Sequence, residues 1–127
     1  MAERNHNNDP SLAREKLIEL LEDDQYRFTE KARNEGQVAL KNYFGSTPSE
    51  IMIIDYIIDL LRNNIPLYHT PMGEPPGSNG TGWVMNNPDG FHTYIKLKIQ
   101  EDGIRDMAWV ISCHTSKHKP KSTGESS

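Results

Sequence analysis

Hydrophobic and polar positions follow three patterns along the chain. From residue 9 to residue 64 apolar side chains recur every three or four residues, the spacing of helices packed on one side. Asp9-Pro10 suits a helix start, because Asp caps free backbone N–H groups and Pro fits the first helical position. Leu12, Leu17, Leu20 and Leu21 form its apolar stripe. The acidic run Glu22-Asp23-Asp24 is a poor helix C-terminus, so the pattern predicts a helix running on through Tyr26, Phe28 and Ala32 to about Asn34. Gly36 is the expected break, and a further turn or two should end at Gly45. Thr47-Pro48-Ser49-Glu50 has the pattern of a capping box, and the wide apolar set of residues 51–61 predicts the central helix of the domain, ending at Asn63-Asn64. Asp55 and Asp59 read as its wet face.

Residues 65–69 suit an edge strand, since Pro66 excludes a central one. Residues 70–82 are rich in Pro and Gly and read as a long exposed loop, either mobile or functional. Residues 83–85, 91–100 and 107–114 read as strands, the last two alternating with period two. Helices followed by strands predict an α+β domain: N-terminal helices packed on one face of a three- or four-stranded antiparallel sheet.

The last hairpin carries the most information. Thr93, Ile95, Leu97 and Ile99 share one face of its first strand, and His92, Tyr94, Lys96 and Lys98 share the other. Pairing the first set with Met107, Trp109, Ile111 and Cys113 puts Ile99 opposite Met107 and Ile95 opposite Ile111. The opposite face then sets Tyr94 against Ser112, Lys96 against Val110 and His92 against His114. Trp83 and Trp109 are expected in the core, as is the thiol of Cys113.

Composition narrows the class. A chain of 127 residues fits one domain, expected over residues 9–115, with residues 1–8 and the basic stretch 116–127 expected to be disordered. A formal charge of −4 argues against a generic basic nucleic-acid binder. One cysteine excludes an internal disulfide and a Cys-rich zinc site. No apolar run approaches the length of a membrane span and no secretory signal is recognisable, so a cytoplasmic location is expected.

The gathered His92, Tyr94, Lys96 and His114 are suited to RNA cleavage. Histidine transfers protons near neutral pH, lysine offsets charge on a phosphorane-like transition state, and tyrosine donates to a phosphate oxygen or stacks on a base. Lys98, Ser112 and His69 are the candidate substrate-binding residues around these four. The same composition also suits the solvated outer face of a half-buried sheet. The glycines of residues 73–82 lack the Walker spacing, the histidines do not fall in HExxH, and neither a metal nor another cofactor is expected.

The helix of residues 51–61, the segment Thr93-Tyr94-Ile95-Lys96-Leu97 and the strand Trp109-Val110-Ile111-Ser112 resemble the RelE-like RNA-cleaving bacterial toxins, the motility quorum-sensing regulator type in particular. That resemblance implies a cytoplasmic, metal-independent endoribonuclease with Tyr94 and Lys96 in its site. The expected partner is RNA or a phosphate-bearing ligand, with no membrane. The alternative is a non-enzymatic protein-interaction module, such as a phage or accessory protein, contacting a protein partner through residues 70–83 and the sheet edge.

Overall fold

Asp9 caps the first helix as expected: its carboxylate accepts from the N–H groups of Ser11 at 2.9 Å and Leu12 at 3.2 Å. The computed structural model describes residues 8–71, 81–86, 93–101 and 106–115. The expected loose ends (residue 8 apart), residues 72–80 of the expected loop, and His92 lie outside the described residues. Helix α1 spans Pro10–Glu22, strand β1 Tyr26–Phe28, helix α2 Glu30–Ala39, helix α3 Lys41–Phe44 and helix α4 Glu50–Arg62. Strands β2 (Tyr68–Pro71), β3 (Thr81–Asn86), β4 (Thr93–Glu101) and β5 (Asp106–Thr115) follow.

The α+β class holds, but among the described residues the sheet has five strands and is mixed, rather than three or four antiparallel ones. Its order is β1-β5-β4-β3-β2, with β1 parallel to β5 and every other pair antiparallel. The extra strand comes from a stretch expected to be helical. Helix α1 does end in the acidic run, because Asp24 turns into the left-handed region at φ 59° and the Gln25 N–H closes on Leu20 O at 2.9 Å. Arg62 of α4 pairs with Glu22 and so offsets one of the three carboxylates at this helix end. The chain then extends as Tyr26-Arg27-Phe28, and Thr29 ends the strand and caps α2, its hydroxyl accepting from Ala32 N–H at 3.0 Å.

Gly36 does not break α2 but lies inside it. A Cβ there would stand 3.2 Å from Cys113 Sγ and 3.3 Å from Ile53 Cδ1, so its absence lets α2 approach β5 closely. Gly45, at φ 82°, ends α3 as expected. The cap of α4 is Ser49 rather than Thr47, with its hydroxyl accepting from Met52 N–H at 3.3 Å. Asn64 at φ 61° and the bond from Ile65 N–H to Leu60 O close α4. Arg14 donates to Leu61 O at 2.6 Å and to Ile65 O at 2.7 Å, placing a cation where the dipole favours it.

The core lies between the helices and one sheet face. Ile53, Ile54, Ile57, Ile58, Leu60 and Leu61 of α4 meet Leu17, Leu20 and Leu21 of α1 there. The sheet contributes Trp83, Met85, Ile95, Leu97, Ile99, Ala108, Val110 and Cys113. Ile51, expected on the apolar stripe, is 65% exposed. Residues 70–71 and 81–82, expected in the loop, are strand: Thr70 pairs with Gly82 and Pro71 with Thr81.

Candidate functional site

Strands β4 and β5 do pair, but in a different register. Ile99 lies opposite Ala108, Lys98 opposite Trp109 and Leu97 opposite Val110. One extra residue on β5, Ile111, then shifts the ladder so that Lys96 faces Ser112, Ile95 faces Cys113 and Tyr94 faces His114. The reason is space. Helices α1 and α2 pack closely on β5, so small Ala108 and Val110 take the core-facing positions and Trp109 turns to the opposite face. The bulge then returns Cys113 to the core, where it contacts the Gly36 site. Thr29 locks the irregularity, its N–H donating to Val110 O at 3.1 Å and its hydroxyl to Ile111 O at 3.3 Å.

The sheet face away from the core cluster carries the candidate chemistry. Tyr94 and His114 stack there, ring centroids 4.8 Å apart and planes 22° from parallel. Lys96 and Ser112 form the next pair, continued by Val84 on β3 and Tyr68 on β2. The third row reads Gly82, Lys98, Trp109 and Arg27 across β3, β5's neighbour β4, β5 and β1. Among the described strand residues on this face none is acidic, although the chain as a whole is negative. The described strand residues of this face thus carry Lys96, Lys98 and Arg27 and no carboxylate.

His114 Nδ1 lies 3.0 Å from Thr115 O. A carbonyl oxygen only accepts, so Nδ1 carries the proton in the neutral ring and Nε2 keeps its lone pair. That leaves the Nε2 lone pair of His114 as a base beside Tyr94. Lys96 and His114 are half-buried, whereas Ser112 and Lys98 are buried. Burial lowers the Lys98 ammonium below the ordinary lysine value. Among the described residues, accessible positive charge on this face thus comes from Lys96 and from exposed Arg27.

Of the expected residues, Tyr94, Lys96, Lys98, Ser112 and His114 share this face, but the partner of His114 is Tyr94, not His92. His69 is on the other side: it pairs with core-facing Trp83, the rings 4.9 Å apart and edge to face. Trp83 is in the core as expected, and Trp109 is not. Sequence reasoning missed Arg27, Trp109 and Tyr68. The apolar-charged-apolar triplet Tyr26-Arg27-Phe28 was the available signal for the first, and it is short enough to be read as helix.

Among the described residues no three His, Cys, Asp or Glu side chains gather in a way that could hold a metal ion, and no helix is long and apolar enough to cross a membrane. Comparison of the chain with protein-family models, curated proteins and solved structures finds no match, so the case for an activity rests on the geometry of this face.

Proposed function

We propose that the face bearing Tyr94, Lys96 and His114 binds RNA and cleaves it without a metal, as a toxin-type endoribonuclease. The observation that carries this reading is the Tyr94–His114 stack beside Lys96 on a sheet face with no described acidic strand residue. His114 Nε2 takes the 2′-OH proton, and the 2′-oxygen attacks the adjacent phosphorus. The P–O5′ bond breaks, giving a 2′,3′-cyclic phosphate and a 5′-hydroxyl. Lys96 offsets the charge that develops on the phosphorane oxygens, and the Tyr94 hydroxyl supplies the proton to the leaving oxygen. Half-buried Trp109 and exposed Tyr68 offer π-faces to neighbouring bases, and Arg27 a contact for the backbone.

The test is incubation of the purified protein with bulk cellular RNA at low salt, with end-group analysis of the products. Wild-type protein is expected to leave cyclic phosphate ends. His114→Ala and Lys96→Ala are expected to slow cleavage by about 10²- to 10⁴-fold without lowering the melting temperature. Wild-type protein that neither cleaves nor binds RNA at low salt, where phosphate contacts are strongest, overturns the reading.

A further inference from the structure

The helix layer holds a second surface of opposite character. An open groove of about 580 Å³ runs between the C-terminal end of α1 and the length of α4, closed at one side by Tyr26. Its floor is aliphatic: Leu21, Ile54 and Ile58, with Ile51 at the mouth. Ile51 is among the few large apolar side chains that the described surface leaves open. The rim is acidic, with Asp24, Asp55, Asp59 and Glu22 around it. The one cation lining it, Arg62, is held by Glu22. Among the described residues Asp24, Asp55 and Asp59 meet no basic side chain in an ion pair. Burial raises the Tyr26 phenol above its ordinary value first, and the carboxylates of Asp24, Glu50 and Asp55 raise it further.

An apolar floor ringed by carboxylates selects an occupant that is both aliphatic and cationic. The chain's own residues 116–127 carry Lys117, Lys119 and Lys121 but no aliphatic side chain, so they match the rim and not the floor. A second copy meeting this groove through its own would set carboxylates against carboxylates. A groove of this volume receives side chains rather than a whole helix, whose diameter is about 10–12 Å. We propose that the groove docks a cationic amphipathic helix of a partner protein, seating leucine- or isoleucine-sized side chains on Ile51, Ile54 and Ile58 with flanking Lys or Arg against Asp24, Asp55 and Asp59. This does not rest on the RNA reading, which concerns the opposite side of the sheet.

The test is fluorescence anisotropy with the full chain and labelled helical peptides built from Leu and Lys with one apolar face. Two controls accompany them: one with Ser replacing Leu at equal charge, one with Glu replacing Lys on the same apolar face. The Leu/Lys peptide is expected to bind at least tenfold more tightly than either control. Asp55→Asn/Asp59→Asn and Ile51→Ser are each expected to weaken it by tenfold or more. Glu15→Gln/Glu19→Gln, an equal charge change on the exposed side of α1, is expected to leave it within about twofold. These side chains are exposed, so unchanged melting curves separate lost docking from lost folding. Absence of binding, equal binding of the Ser control, or equal weakening by the Glu15/Glu19 pair overturns the proposal.

Discussion

Replacing Gly36 by alanine opposes two effects of similar size. Alanine in a helix interior is favoured over glycine by about 0.8–1.0 kcal/mol. Its methyl group would sit 3.2 Å from Cys113 Sγ and 3.3 Å from Ile53 Cδ1, both tighter than ordinary contact, and 3.4 Å from Cys113 Cβ. Cys113 and Ile53 are fully buried and hemmed in, and overpacking of this kind typically costs about 1–3 kcal/mol. The net expectation for Gly36→Ala is a loss of about 1 kcal/mol. Cys113→Ala deletes one buried heavy atom and should cost roughly 1 kcal/mol, as Ile→Val does. In the double variant the nearest obstruction is gone while the helix gain remains. The two losses should therefore not add: a favourable coupling of about 1 kcal/mol is expected, within the range seen for residues in contact. Urea denaturation of the four proteins measures it. Additivity within about 0.3–0.5 kcal/mol would refute the claim that the close approach of α2 to β5 is what keeps glycine at position 36.

Two further outcomes concern the Cys113 thiol and the Arg14 guanidinium. Burial, and secondarily the Glu35 carboxylate, pushes the Cys113 thiol up to about 12 from an ordinary value near 9. Above about pH 9 the unfolded chain releases this proton and the folded chain does not, so stability should fall from pH 9 towards 12; comparing urea midpoints of wild type and Cys113→Ala at pH 8 and pH 10 should show a steeper fall for wild type, and parallel falls would exclude the thiol as the cause. Arg14→Met removes the two donors on Leu61 O and Ile65 O and should cost about 2 kcal/mol in thermal melts, with an unchanged melting temperature counting against that cap.

Much of the fold was legible because it is local. The Asp9-Pro10 start, the apolar spacing of α4, the Asn63-Asn64 stop and the period-two runs of β4 and β5 depend on backbone propensities and on which face meets the core. The existence of β1 was not legible, because three residues hold too little periodicity to compete with a helical reading, and its partner β5 lies some eighty residues away. The register of the hairpin was not legible either. Period-two matching assumes one buried face, whereas β5 is an interior strand, flanked by β1 and β4, whose run Met107-Ala108-Trp109-Val110-Ile111 offers apolar side chains to both faces. Which of them turn inward is decided by how closely α1 and α2 approach, and the bulge at Ile111 then resets the alternation. The composition of the candidate face was therefore readable one residue at a time, as Tyr94, Lys96 and His114. Its arrangement, with Tyr94 rather than His92 against His114, Trp109 and Arg27 beside them and His69 on the far side, was a consequence of tertiary packing.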